Sequence, residues 1–409
     1  MASKNDVKCV SPWGELYIDP DGSVKTCCIA KPSNVLGNIN VDSWQEIWNG
    51  EKLKEIRRAM LNGEKHFNCK HCYQVEDAGQ SSLRTELNDK YGHLFEDIWN
   101  KSHDEDENIV FLDIRWSNLC NFSCRMCSSG LSYKWQQLLQ GQKSKPIHID
   151  SSKFAITDLP LDSIQEVYIA GGEPLMISET FELLDKLIEI GRNTEVKLWL
   201  VSNCSLLQYK DKHIFDYLKH FKEVMFQVSL DGANTKGEYI RQGMDWPTVS
   251  TNIRKLYEYS LENNNIMILI NYTLWPLNSF HLDEFIETLL KDKILGNTVD
   301  DIKIFINAVQ NPWYMDLQYL PDDLKNNLIQ HWQAMLDKYN PQSDSDLRVQ
   351  TDMQIQNLRN AQNNVSNTEI DNAMSHLMQD LYTQDTKYFG TSLFNVFPEL
   401  QSLKRYYEE

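Results

Sequence analysis

The sequence lacks any apolar run close to the roughly 20 residues that a membrane-spanning helix needs. Its start, MASKNDVKC, has neither the apolar core of a signal peptide nor an obvious lipidation site. We therefore expect a cytoplasmic protein without a membrane partner.

Positive charge is also scarce, because 40 lysines and arginines stand against 58 aspartates and glutamates. The formal net charge is -18, and an anionic surface repels the phosphate backbone of DNA and RNA. The composition therefore predicts no nucleic-acid partner.

Cysteine is absent after position 204, although the chain has nine cysteines. A long chain without an export signal favours metal binding or redox chemistry over a disulfide framework. In order, the cysteines are Cys9, Cys27, Cys28, Cys69, Cys72, Cys120, Cys124, Cys127 and Cys204.

Short apolar segments typical of strands alternate with helix-like segments from about residue 109 onward. Six strands with five helical crossovers predict a parallel α/β sheet, open or curled into a partial barrel. The six segments are NIVFLDIRW, IQEVYIAGG, VKLWLVSN, EVMFQVSLDG, NIMILINYTL and DIKIFINAVQ.

The pattern predicts three domains. Residues 1–108 are turn-rich with one helical stretch and end in NKSHDEDEN, an acidic, polar linker. Residues 109–310 contain the sheet. Residues 311–409 predict helices around a Gln- and Asn-rich middle, MQIQNLRNAQNNVSNTEIDN, which is either a loop or a solvated helix.

Four motifs directly follow the first four predicted strands. Loops at the carboxyl ends of parallel strands carry the chemistry in α/β folds, so we expect these motifs on one rim. They are SNLCNFSCRMCSSG from Ser117, GGEP from Gly171, SNC from Ser202 and SLDG from Ser229.

The first of these motifs spaces Cys120, Cys124 and Cys127 as C-x3-C-x2-C. Three thiolates can hold three irons of a 4Fe-4S cluster, which leaves the fourth iron open to a substrate or cofactor. A zinc site completed by a distant fourth ligand is the alternative.

Residues 109 to about 310 resemble the radical S-adenosylmethionine (SAM) superfamily in CNFSCRMC, GGEP, SN, SLDG and the strand order. The resemblance implies a partial (β/α)6 TIM-like barrel, in which Cys120, Cys124 and Cys127 bind the cluster and SAM chelates its open iron. In that family one electron cleaves SAM to methionine and a 5'-deoxyadenosyl radical, which abstracts a substrate hydrogen atom.

The resemblance also implies the SAM contacts. Gly171 and Gly172 allow close backbone approach, and Glu173 accepts a hydrogen bond from the SAM ammonium. Turn formation, capping or simple solvent exposure is the alternative for such residues. The other expected contacts are Ser202, Asn203, Ser229 and Asp231 at the ribose, Arg241 at the SAM carboxylate, Asn271 in the fifth strand and Met126 beside the adenine.

The N-terminal segment resembles the SPASM auxiliary-cluster module, or its half-length twitch form, in its C-x12-G-x4-C spacing and its CKHC motif. The resemblance implies that Cys9, Cys27, Cys69 and Cys72 fully ligate a second 4Fe-4S cluster, with Cys28 left over. A zinc ribbon is the alternative. The module usually follows the barrel in this family, whereas here it precedes it.

These resemblances imply a radical SAM oxidoreductase or maturase that receives electrons from a flavodoxin or ferredoxin. The favoured substrate is a peptide or protein, modified by crosslinking, epimerisation or oxidation with help from the auxiliary cluster. A small molecule is the first alternative, since no segment indicates a leader-peptide-binding domain. A non-catalytic iron-sulfur electron-transfer protein is the second.

Cys204 ends the third predicted strand, and its thiol is a candidate hydrogen-atom donor to the substrate radical. The alternative is a small buried hydrophobic residue, since free cysteine is among the most buried residue types.

The cysteine pattern predicts the metal content. Anaerobic reconstitution should give about eight irons per chain if both sites hold 4Fe-4S clusters. About four irons with one zinc would instead make the N-terminal module a zinc ribbon. Iron, sulfide and zinc analysis of the reconstituted protein measures this.

Overall fold

The computed structural model describes residues 7–31, 33–77, 81–100 and 109–407. Beyond Asn100, the predicted linker NKSHDEDEN lies outside the described residues. The strands are β1 (Glu15–Ile18), β2 (Ser23–Lys25), β3 (Gly37–Asn38), β4 (Phe111–Ile114), β5 (Ser123–Cys124), β6 (Glu166–Ile169), β7 (Lys197–Ser202), β8 (Gln208–Tyr209), β9 (Lys212–His213), β10 (Glu223–Ser229), β11 (Arg241–Gln242), β12 (Ile266–Leu274) and β13 (Ile304–Ala308).

The helices alternate with these strands and then dominate the C-terminal region. A π-helical stretch, Gln384–Phe389, follows the last long α-helix. The α-helices are α1 (Ser11–Gly14), α2 (Trp44–Trp48), α3 (Glu51–Leu61), α4 (Lys70–Asp77), α5 (Leu83–Tyr91), α6 (Glu96–Asn100), α7 (Tyr133–Gln140), α8 (Ser178–Glu189), α9 (Phe215–Leu218), α10 (Asn234–Ile240), α11 (Trp246–Glu262), α12 (Leu282–Lys291), α13 (Asp322–Tyr339), α14 (Asp346–Asn364), α15 (Asn367–Thr383) and α16 (Leu393–Val396).

All six predicted strands are confirmed, as β4, β6, β7, β10, β12 and β13. The predicted α/β class is therefore correct. Among the described residues, no helix is both long and apolar enough to cross a bilayer.

The chain divides into two compact units. Unit 1 comprises residues 1–119, 145–200 and 220–224, and unit 2 comprises residues 120–144, 201–219 and 225–409. In unit 1 the strand order is β7-β6-β4-β1-β2-β3. β4 pairs in parallel with β6, and β6 with β7, as the βα pattern predicts.

The N-terminal strand β1 joins this sheet as a parallel neighbour of β4, with Tyr17 opposite Asp113. All four residues of β1 are buried, which is typical of a strand covered on both faces of a parallel sheet. The sequence did not predict this pairing, because ELYI is too short to show a period.

In unit 2 the strands β10, β12 and β13 are neighbours. β12 and β13 are parallel, with Asn271 opposite Phe305. The Leu230 N–H donates to the Asn271 carbonyl at 3.1 Å, which in a parallel pair puts Ser229 opposite Asn271. Ser229, Asn271 and Phe305 therefore form one row across three strands.

The Gln- and Asn-rich segment is helical, as one of the two alternatives predicted. It forms most of α14 and the start of α15, with a break at residues 365–366. Ser366 caps α15 through a capping box with Glu369, a pattern that satisfies free N–H groups at a helix start.

The edge of β13 is covered by one side chain of α14. The Ile306 N–H donates to Gln350 Oε1 at 2.5 Å, and Gln350 Nε2 donates to the Ile304 carbonyl at 3.0 Å. Unpaired groups on an edge strand invite pairing with other chains. Gln350 therefore occupies groups that another strand would otherwise use.

Gln350→Ala should lower the free energy of unfolding by about 1 kcal/mol, because two backbone groups of β13 lose their partner. Gln356→Ala is the matched control, since Gln356 is exposed on the same helix. Urea unfolding followed by circular dichroism measures both variants. Equal effects of the two substitutions would show that Gln350 has no such role.

Candidate functional site

One cavity of unit 1 is lined by all four N-terminal cysteines that were expected to share a metal site: Cys9, Cys27, Cys69 and Cys72. The remaining lining residues are Ser11, Pro12, Thr26, Ile29, Asn68, His71, Leu83 and Arg84. The fold thus brings thiols from three separate chain segments to one place.

Local structure explains this convergence. Cys9 lies just before α1, and Cys27 follows β2. The β1–β2 pair is antiparallel, so the chain returns from β2 towards the start of β1. Gly22 permits the tight turn, with φ of 82° and its N–H donating to the Asp19 carbonyl at 2.9 Å.

The four thiols are close enough to influence one another; Cys9 and Cys72 are buried, and Cys27 and Cys69 are half-buried. Burial raises the pKa of Cys9 to about 12, and the neighbouring Cys72 raises it further. Burial likewise raises the pKa of Cys27 and of Cys69, and Cys9 adds to both shifts. The thiols are therefore protonated without metal, and metal binding must release protons.

Cys28 points elsewhere. It is exposed and does not line the cavity. This placement favours Cys27 over Cys28 as the fourth thiol of the cavity.

The GGEP loop of unit 1 needs both its glycines. Gly171 and Gly172 have φ of 80° and 52°, where residues with a Cβ are strained. A Cβ at Gly171 would lie 2.6 Å from Arg115 Cβ, and one at Gly172 would overlap the Leu119 carbonyl.

Glu173 is held at the end of this loop. Its N–H donates to the Leu119 carbonyl at 2.8 Å, and its Oε1 accepts from the Leu175 N–H at 3.1 Å. The side chain is buried. The loop therefore presents a fixed carboxylate next to two backbone positions without side chains.

In unit 2 the three-cysteine loop is anchored by a short antiparallel pair. β5 pairs with β11, which sets Cys124 opposite Arg241. Arg241 Nη1 lies 3.7 Å from Cys124 Sγ. Cys120 Sγ accepts from the Phe122 N–H at 3.4 Å.

Burial raises the pKa of Cys124, although the Arg241 guanidinium counteracts part of that rise. Burial also raises the pKa of Cys127 to about 12, with Cys124 adding to the shift. A cation beside a buried thiol favours the thiolate. Arg241 is therefore placed to support cluster ligation as well as its expected contact with SAM.

Asp231 and Arg241 of the predicted SAM set are brought together. Their Oδ2 and Nη2 atoms are 2.7 Å apart, and both side chains are buried. The Thr273 N–H donates to Asp231 Oδ1 at 2.7 Å. Arg241 Nε and Asn271 Oδ1 are buried without a hydrogen-bond partner, so both can bind a polar ligand.

The SNC motif and Met126 complete the unit 2 set. Asn203 Nδ2 lies 3.0 Å from Asn121 Oδ1 and 3.9 Å from Cys120 Sγ. Ser202 Oγ accepts from the Cys204 N–H at 3.0 Å. Met126 and Ser229 are half-buried.

Cys204 is fully buried, with φ of 54°. Its carbonyl accepts from Asn252 Nδ2 at 2.9 Å. A thiol without exposed surface favours the structural alternative over hydrogen-atom donation, so the donor role stays a prediction.

The sequence analysis missed Arg125, which lies between two of the motif cysteines. Its Nη2 donates to Asp385 Oδ1 and Thr391 Oγ1, both at 2.7 Å, and its Nε donates to the Tyr239 carbonyl at 2.8 Å. The guanidinium also stacks on Tyr239, 3.6 Å from the ring centre. Its position between two motif cysteines was a signal that Arg125 matters to the loop. Its partner Asp385 could not be predicted, because it follows 260 residues later in the chain.

Among the described residues, no three His, Cys, Asp or Glu side chains are placed to hold a single metal ion. The cluster interpretation therefore rests on the cysteine spacing and on the shared cavity.

Two family models match the chain. The model of the SPASM iron-sulfur cluster-binding domain matches residues 9–73, and the radical SAM superfamily model matches residues 114–289. Residues 114–289 thus match the radical SAM superfamily, and residues 9–73 match the SPASM domain. The first match contains the four cavity cysteines and confirms that the SPASM module precedes the barrel.

No curated protein sequence matches this chain. Among solved structures it is similar to Streptococcus suis SuiB bound to S-adenosylmethionine, with 16% identity over 70% of this chain and 63% of that chain, at a TM-score of 0.37. It is also similar to anSMEcpe with bound AdoMet, with 18% identity over 56% of this chain and 62% of that chain, at a TM-score of 0.39. The chain thus spans less than two thirds of either protein.

Radical SAM and SPASM domains use 4Fe-4S clusters and SAM, and the residues of this chain fit them. Four thiols around one cavity can satisfy a fully ligated cluster. A cluster on the three-cysteine loop would have one iron without a protein ligand. The unpartnered Arg241 Nε and Asn271 Oδ1 fit a polar ligand in the same unit.

Arg125→Ala should lower the free energy of unfolding by about 3–5 kcal/mol, because it leaves the buried Asp385 carboxylate without its cation. The exposed Arg359→Ala is the control. Urea unfolding measures both.

Arg125→Ala combined with Asp385→Ala should cost less than the sum of the two single losses, because the two residues form a pair. Additive losses would contradict the coupling.

Proposed function

We propose that the protein is a radical SAM enzyme that modifies a peptide or protein with help from an auxiliary 4Fe-4S cluster. The observation that carries the proposal is the three-cysteine loop, with Arg241 Nη1 3.7 Å from Cys124 Sγ. This loop lies within the radical SAM match.

Cys120, Cys124 and Cys127 hold the SAM cluster in this proposal. When bound, cluster and SAM together supply a 5'-deoxyadenosyl radical that removes a hydrogen atom from the substrate. Arg241 stabilises the Cys124 thiolate, and Arg125 fixes the backbone between the ligands. A flavodoxin or ferredoxin supplies the electron.

The SAM-binding residues divide by chemistry. Glu173 offers a carboxylate to the SAM ammonium, and Gly171 and Gly172 keep that approach open. Arg241 offers its unpartnered Nε to the SAM carboxylate while Asp231 retains Nη2. The further contacts are Asn271 through its free Oδ1, Ser202, Asn203 and Ser229 at the ribose, and Met126 at the adenine.

The auxiliary cluster is held by Cys9, Cys27, Cys69 and Cys72. Four protein ligands leave no iron open, so this cluster does not bind SAM. When bound there, the cluster would supply one-electron chemistry for the substrate. We assign residues 1–108 to this module, 109–310 to the radical SAM barrel and 311–409 to a helical region.

One face of the unit 2 strands supports a peptide substrate. Phe305 and Asn307 are exposed, whereas Ile304 and Ile306, which alternate with them along β13, are buried. By the strand register, Phe305 and Asn307 share a face with Asn271 and Thr273. This part of the face offers an apolar ring, amides and a hydroxyl, which suit the uncharged amides of a peptide.

SAM cleavage tests the core of the proposal. Reconstituted protein with dithionite and SAM should form 5'-deoxyadenosine, and changing Cys120, Cys124 and Cys127 to Ala should abolish it. Cys28→Ala is the matched control, since Cys28 lies outside both cysteine sets, and it should retain cleavage. Undiminished 5'-deoxyadenosine from the triple variant would refute the assignment.

Deuterium transfer tests the substrate class. An extract of the source cells grown in deuterated medium is split by ultrafiltration into a peptide and protein fraction and a small-molecule fraction. Deuterium in 5'-deoxyadenosine, measured by mass spectrometry, should appear with the first fraction. Transfer from the second fraction alone would establish a small-molecule substrate instead.

A further inference from the structure

A threonine in the wall of the cysteine cavity has a buried hydroxyl without a hydrogen-bond partner. Thr26 lines this cavity and directly precedes Cys27. Its side chain is buried, with 3% exposure, and its Oγ1 has no hydrogen-bond partner. A buried hydroxyl without a partner costs free energy, so a ligand in the cavity is the natural partner.

The hydrogen-bonding capacity of sulfur determines whether the Thr26 hydroxyl donates or accepts. Cluster sulfides and cysteine thiolates accept hydrogen bonds but carry no proton to donate, so the Thr26 O–H must be the donor. Asn68 Oδ1 is also unpartnered in this wall. An amide oxygen only accepts, so it cannot serve the cluster in this way.

Two corners of the cavity already have backbone donors. The N–H groups of Ser11 and Arg84 hydrogen-bond to the sulfurs of Cys9 and Cys72. Thr26 would add a donor beside Cys27, which belongs to a third chain segment.

We propose that the Thr26 hydroxyl donates a hydrogen bond to a sulfur atom of the auxiliary cluster and raises the reduction potential of that cluster. The inference rests on the proposed function, because it requires a 4Fe-4S cluster on Cys9, Cys27, Cys69 and Cys72. Hydrogen bonds to sulfur stabilise the more negative, reduced cluster. A higher potential makes the cluster a better acceptor for one electron from a substrate radical.

The test uses the full chain with Cys120, Cys124 and Cys127 changed to Ala, so that only the auxiliary cluster titrates. Thr26→Val removes the hydroxyl at nearly constant shape, and Thr26→Ser keeps it. Thr180→Val is the matched control: Thr180 Oγ1 is also buried without a partner, but Thr180 lies on α8 and does not line the cavity. A redox titration followed by electron paramagnetic resonance gives each midpoint potential.

Thr26→Val should shift the midpoint to a more negative potential, whereas Thr26→Ser and Thr180→Val should match the parent. If Thr26→Val carries about four irons per chain and its midpoint potential is unchanged, the Thr26 proposal is wrong, but the auxiliary cluster assignment is not affected. Zinc, or no iron, in the parent would overturn the auxiliary cluster and this inference together.

Cluster loading has its own control. If Thr26→Val does not load iron, the smaller Thr26→Ala takes its place in the titration. If neither loads while Thr26→Ser does, Thr26 acts in cluster assembly, and potential tuning is wrong.

Discussion

The buried ion pair between Arg125 and Asp385 is the interaction on which the three-cysteine loop depends. Both side chains are almost completely buried, and a buried charge without its partner is strongly destabilising. Asp385 also accepts from the Tyr239 hydroxyl at 3.0 Å. The loop backbone between Cys124 and Cys127 is therefore fixed by the C-terminal region, and the helical residues after the barrel strands contribute to the site although they carry no cysteine.

Burial of cysteine is the second constraint. Desolvation raises the pKa of the thiols at both cysteine sites, so each site is poorly suited to holding free thiolates. A bound iron-sulfur cluster would supply the positive charge that stabilises thiolates there. At the N-terminal site the four cavity cysteines come from three chain segments, so cluster binding there would be coupled to the folding of this region. Arg241 and Arg84 are the cations that the protein itself contributes near the thiols.

Strand pairing, not chain order, determines how the auxiliary module joins the fold. The module precedes the barrel in sequence, yet β1 lies beside β4 as a parallel strand. The antiparallel pairing of β1 with β2 then places Cys27 near Cys9. A short buried strand thus links the cysteine cavity to the sheet of unit 1.

The sequence alone determined the α/β class, the six barrel strands and the match to the radical SAM and SPASM domains, and it predicted both cysteine sets, because spacing, hydrophobic period and turn glycines are local properties. Gly171 and Gly172 could be predicted for the same reason. Only the tertiary structure revealed the pairs of Arg125 with Asp385 and of Asp231 with Arg241, the pairing of β1 with β4, and the unpartnered hydroxyl of Thr26. Such features join residues far apart in the chain or depend on a missing partner, and no local pattern encodes which distant groups share a buried space.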